Sequence, residues 1–262
     1  MIRRPEGESW LLITQPDHAA LAGQLARAWH GDPAPDPLEA TLLAIDEHDN
    51  GWREWEAAPT VNERGEPRHF SEMAIADHLA IWERGIARLG AISPYAALLV
   101  SSHADALFRH RLDPPRDSPA ARRLVAAFRR RQARLRRSFV ARVAADRDHT
   151  HGLAPARLAV NLQLLQLCDY LSLRICCAAP QSPATVRLPA LAPTRGDGTF
   201  RYCRLDAGTA SLAPFPFAAE PLAVTVRAAR LPRVPFPSDE ALRAALAAAP
   251  VEALPLRLVA GR

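Results

Sequence analysis

Ile45-Asp46-Glu47-His48-Asp49-Asn50-Gly51 closes a run of helical periodicity that opens near Pro37 and carries Leu42, Ala44 and Ile45 on its apolar side. The pattern predicts a helix over about 37–49, ended by Gly51, with a histidine and an aspartate adjacent at its inner end. Upstream, Thr14-Gln15-Pro16-Asp17 has the form of a capping box with proline in the first turn, and starts a helix that runs to Trp29-His30. Downstream, beyond a loop with Pro59, Gly65 and Pro67, helices are predicted over about 71–89 and 94–111, with Pro114-Pro115 as a stop. A fifth, arginine-rich helix carries Leu124, Phe128, Leu135, Phe139 and Val143 at helical intervals, and a sixth covers about 155–177.

Past Ala179 the pattern changes. Twelve of the 24 prolines lie from Pro180 onward, and short alternating runs appear at 185–188, 199–205 and 222–227. Gly196-Asp197-Gly198 marks a hairpin, and a short helix is predicted over Asp239 to Ala248. The expected architecture is therefore mostly α, a helical bundle over 1–178 with a small antiparallel β appendage over 179–262 that packs or forms a lid.

The chain has 262 residues, 48% hydrophobic and 23% charged, which excludes wholesale disorder. Its charge of +5 comes from arginine alone, because it contains no lysine; Schiff-base, pyridoxal and P-loop chemistry are excluded. Thirteen of the 33 arginines lie between Arg109 and Arg147. No aromatic stacking pattern accompanies them, so this run reads as a solvated helix face rather than a nucleic-acid surface. No apolar run is long enough to span a membrane, and the N-terminus lacks the apolar core of a secretory signal. Cys168, Cys176, Cys177 and Cys203 form no metal-binding or disulfide spacing and read as reduced thiols. A cytoplasmic location is expected.

All nine histidines fall at or before His151. His18 shares a stripe with Leu21, Leu25 and Ala28; His78 lies between Ile75 and Trp82; His103 lies between Leu99 and Leu107. Asp169 continues the stripe of Leu158, Leu162 and Leu165. With His48 and Asp49, five helices thus direct a histidine or an aspartate toward one interior. Any one of these is an ordinary core residue. Burying all of them without partners costs about 2–7 kcal/mol per group, and a shared metal centre satisfies them together. Four imidazoles and two carboxylates suit iron, manganese or zinc rather than magnesium or calcium. His30, His69, His149 and His151 sit at helix ends or in loops, and His110 is the main rival to His78 or His103.

The order His18, His48-Asp49, His78, His103, Asp169 on successive helices resembles the HD-domain superfamily over roughly residues 14–178. Gln15-Pro16-Asp17-His18, His48-Asp49-Asn50-Gly51-Trp52 and the spacing of Pro94, Tyr95, Leu99, Ser101 and His103 most resemble one uncharacterised bacterial family within it. The resemblance implies a dinuclear centre with Asp49 as the bridging, catalytic carboxylate. Many hydrolase members carry a phosphate-binding lysine where this chain has Trp52, so Arg53 or Arg174 is the expected fork for an anionic small-molecule substrate. A metal-dependent phosphohydrolase is the first functional expectation. A di-iron oxygenase is the second, and a ligand-binding protein with a structural metal and a Trp52, Trp55 and Trp82 cluster is the third.

Overall fold

A computed structural model describes residues 1–111, 118–177, 183–192 and 197–261. The chain opens with a hairpin, β1 (Ile2–Glu6) and β2 (Ser9–Ile13), turned at Gly7, whose φ of +57° suits glycine. Helices follow: α1 (Gln15–Arg27), α2 (Leu38–Asp46), a short α3 (Arg53–Glu56), α4 (Ile75–Ile92), α5 (Pro94–Arg111), α6 (Pro119–Ala144) and α7 (Pro155–Cys177). Four further strands, β3 (Ala184–Arg187), β4 (Thr199–Arg204), β5 (Thr209–Ala213) and β6 (Leu222–Pro232), precede α8 (Asp239–Ala248) and β7 (Val251–Ala260).

The strands form one seven-stranded sheet in the order β1-β2-β6-β7-β5-β4-β3. All pairs are antiparallel except β5 with β7. β6 joins the two ends of the chain: residues 222–229 pair with β7, and its last residues pair with β2. The alternation of β2 explains how both faces are covered. Leu11 and Ile13 enter the main core with Leu21 and Leu25 of α1 and Ile175 of α7, whereas Trp10 and Leu12 meet Leu242 of α8 on the opposite face.

The expectation of a mostly α bundle with a C-terminal β appendage is therefore corrected. The sheet takes strands from both sides of residue 178, contains a parallel pair, and walls the same core as the helices. The N-terminal hairpin gave no period-2 signal because Arg3-Arg4-Pro5-Glu6 has no alternation of apolar and polar side chains, although Arg4 is buried in the sheet. The short C-terminal helix lies where expected, and the alternating runs are strands β3, β4 and β6. The Pro114-Pro115 stop and Gly196 fall outside the described residues.

The arginine-rich α6 buries Val125, Phe128, Gln132, Phe139 and Val143, while Leu124 and Leu135 of the expected stripe are exposed. Its arginines are not merely solvated. Arg129 pairs with Asp105 at 2.7 Å, Arg136 donates to the Ser101 carbonyl and Arg142 to the Gly90 carbonyl, fastening α6 to α4 and α5. Among the described residues no helix is long and apolar enough to cross a membrane.

Candidate metal centre

The His48-Asp49 pair does not lie on α2. The helix stops at Asp46, and the pair occupies the turn leading into a single 3-10 turn at Asn50–Trp52. Asn50 holds this turn, its amide donating to the Glu47 carbonyl at 2.7 Å and the Gly85 carbonyl at 3.3 Å, while Arg88 donates to the Asn50 carbonyl. Gly51 lies so close to α4 that a Cβ there would sit 2.1 Å from the Ile81 carbonyl oxygen. That approach presses the turn into the bundle and aims both side chains at α1, α5 and α7.

Three imidazoles and two carboxylates meet there. His18 Nε2 lies 3.0 Å from Asp169 Oδ1 and 3.7 Å from Asp49 Oδ2. His48 Nε2 lies 3.3 Å from Asp169 Oδ1 and 3.5 Å from Asp49 Oδ2, and His103 Nε2 lies 3.3 Å from Asp169 Oδ2. The far nitrogens of His18 and His48 are tied back. His48 Nδ1 is 2.8 Å from the Ile45 carbonyl, which can only accept, so Nδ1 carries a hydrogen and Nε2 is the free donor atom in the neutral ring. Ser172 Oγ donates to the Asp169 carbonyl and accepts from His18 Nδ1 at 2.9 Å, leaving His18 Nε2 in the same state. Orienting partners of this kind are what metal-ligating histidines have.

The electrostatics of the cluster favour a cation at its centre. Burial works to raise the Asp169 carboxyl, yet the His103, His18 and His48 imidazoles that face it hold it well below the usual carboxylate range. Burial works against protonating His48, but Asp49 and Asp169 outweigh it and push the imidazole up to about 9. A proton on this ring balances the two carboxylates, a task a metal ion also performs. Ligand atoms of His18, His48 and Asp49 lie within 4.8 Å of one another. Nitrogen and oxygen ligands bind such ions at about 2.0–2.2 Å, so the spacing is close to that of a shared ion. His48 Nε2 and both His103 ring nitrogens are buried without a hydrogen-bond partner. The donor set fits a transition-metal ion.

His78 stands apart from this tight group. Half-buried, its ring rests edge-on against Trp52 (centroids 5.3 Å apart) and Phe108 (5.7 Å), and it lines the same cavity. That cavity, of about 290 Å³, has His48, Asp49, His103 and Asp169 in its wall, with Trp52, Phe70, Trp82, Leu107, Phe108 and Leu173 as apolar surface and Gln15 and Ser71 as polar additions. Of the residues expected to contact substrate, Trp52 lines the cavity and the two arginines do not. Arg53 is half-exposed and paired with Glu47 at 2.8 Å, and Arg174 lies over the Tyr202 ring toward the sheet. The His110 side chain lies outside the described residues. His69 pairs with Ser71, His149 with Asp146 and His151 with Asp36, away from the cluster.

Gln15, Phe70, Ser71, Phe108 and Ser172 were not among the expected site residues, although Gln15 stands in the motif that ends at His18. Gln15 and Ser172 are within one helical turn of His18 and Asp169, so helical spacing could have found them. The Phe70–Glu72 turn carries no such signal.

No curated protein and no solved structure matches the chain. The family model described as "Protein of unknown function (DUF3891)" matches residues 1–233, and the chain belongs to that family.

Proposed function

We propose that the protein is a metal-dependent hydrolase of HD-domain type that acts on a phosphate ester. The observation carrying this reading is the meeting of His18, His48, Asp49, His103 and Asp169 in one cluster, four of them in the wall of a cavity and His18 buried behind it, with the Nε2 atoms of His18 and His48 turned toward the two carboxylates. His18, His48, Asp49 and Asp169 would hold one ion; Asp49, His78 and His103 would hold a second, with iron, manganese or zinc the fitting elements. Such ions supply Lewis acidity and a water of lowered pKa. Ser172 and the Ile45 carbonyl keep the His18 and His48 rings in register. Asp49 Oδ2, 3.7 Å from His18 Nε2 and 3.5 Å from His48 Nε2, would be the carboxylate oxygen closest to both rings and so to an ion they held. Trp52, Trp82 and Phe108 exclude bulk water, which strengthens every charge interaction inside.

Because no described arginine lines the cavity, the substrate's charge falls to the centre itself rather than to Arg53 or Arg174. This observation also favours the second reading, a di-iron oxygenase, for which an apolar, aromatic-walled cavity suits oxygen chemistry. The test is a panel of nucleotides, cyclic nucleotides and phosphomonoesters with manganese- and iron-loaded protein, with oxygen uptake recorded in parallel. Phosphate release from a panel member supports the hydrolase. Oxygen consumption without phosphate release supports the oxygenase, and neither result under either metal overturns both.

A further inference from the structure

The cavity holds polar groups that the proposed chemistry does not use. Gln15 is 3% exposed and lines the cavity one helical turn before His18. Its backbone N–H is taken by the Glu56 carboxylate at 2.9 Å, but its side-chain Oε1 is buried with no hydrogen-bond partner. The Trp82 indole N–H, in the wall of the same cavity, is likewise unpartnered. A buried amide carbonyl without a donor costs on the order of a hydrogen bond, and a site retains such a group when a ligand supplies the missing partner. The rest of the wall away from the histidines and aspartates is apolar, from Trp52, Phe70, Leu107, Phe108 and Leu173, apart from Ser71, whose hydroxyl is paired with His69 Nδ1 at 2.7 Å, and it has no described guanidinium. At about 290 Å³ the cavity is at the small end of ligand sites.

We propose that Gln15 is a specificity residue, and that the substrate is a compact monoester whose organic part is apolar except for one hydroxyl donor received by the Gln15 carbonyl. The ester part of this assignment rests on the hydrolase reading; the Gln15 part does not. The wall offers too few polar partners for a base and a ribose, so a nucleotide fits this site poorly. A site built to accept a hydroxyl discriminates strongly against the analogue that lacks it, because its own buried acceptor is then left bare.

The test uses phenyl phosphate, its three hydroxyphenyl isomers and adenosine monophosphate. Binding is followed by the change in tryptophan fluorescence, with Trp52 and Trp82 the tryptophans in the cavity wall, in zinc-loaded protein, and hydrolysis by phosphate release in manganese-loaded protein. At least one hydroxyphenyl isomer is expected to bind about tenfold or more tightly than phenyl phosphate. Gln15→Leu brings that ratio to within about twofold of one, and Gln15→Glu, which keeps an acceptor, retains the preference. The inference is overturned if the wild-type protein shows no preference, if adenosine monophosphate binds best, if no probe binds, or if Gln15→Leu keeps the preference. Preference in binding without phosphate release refutes the hydrolase while leaving Gln15 in its role; phosphate release without preference does the reverse.

Discussion

Replacing Ser172 with alanine removes one oxygen that contacts no proposed metal position, yet it should weaken the metal centre. Ser172 and His18 are both fully buried, so water cannot take over the 2.9 Å hydrogen bond between them. Two outcomes are open to the ring. If it keeps its tautomer, Nδ1–H is left unsatisfied, at a cost of about 1–3 kcal/mol. If it changes tautomer, the hydrogen moves to Nε2, which lies 3.0 Å from Asp169 Oδ1, and the lone pair is lost from the cavity. Loss of an orienting partner lowers metal affinity by roughly 10–100-fold, equivalent to about 1.4–2.7 kcal/mol. Competition with a zinc chelator measures the affinity, and urea unfolding of the metal-free protein measures the stability term separately. Wild-type values in both assays for Ser172→Ala would refute the claim that Ser172 sets the His18 ring.

Gly51→Ala should destabilise the fold by about 1–3 kcal/mol, because the new methyl meets the Ile81 carbonyl and the Gly85 amide; an unchanged urea midpoint would contradict the close approach of the turn to α4. Metal uptake should displace the proton from His48, whose pKa is about 9 in the metal-free protein, so affinity should rise between pH 7 and 9 and flatten above; titration calorimetry in buffers of different ionisation enthalpy would show proton release, and a pH-independent affinity would count against it. His69 is pushed down to about 4 by burial, the N-terminal ammonium and Arg3. The unfolded chain therefore takes up this proton first. Its stabilising contribution is complete above about pH 6.5 and declines as pH falls toward 4, and His69→Gln should flatten that part of the stability profile.

The helices were legible because each presents apolar side chains at a 3.6-residue period, and the same period places His18, His103 and Asp169 on inner faces. Helical phase also explains one failure. Arg174 follows Asp169 by five positions, about 140° around the helix, so it faces the sheet, whereas Leu173, four positions on, lines the cavity. Arg53 follows Trp52 directly but leaves the cavity for Glu47, because the 3-10 turn gives the two residues different directions. The sheet was less legible. β1 has no alternation of apolar and polar side chains, β5 is only five residues long, and the alternation of β7 is interrupted by Pro255; each gains its burial from partners distant in the chain. His48 and Asp49 were identifiable by type, but their place in a turn depends on how closely Gly51 approaches α4.

A metal held by the five clustered side chains underlies every role proposed for the site, and elemental analysis of protein purified without chelator tests it directly. The expected result is one or two iron, manganese or zinc ions per chain in the wild-type protein, with a large loss in a folded Asp49→Asn variant. Wild-type protein that carries no transition metal and takes up none on reconstitution would contradict the account, as would full metal content in the variant.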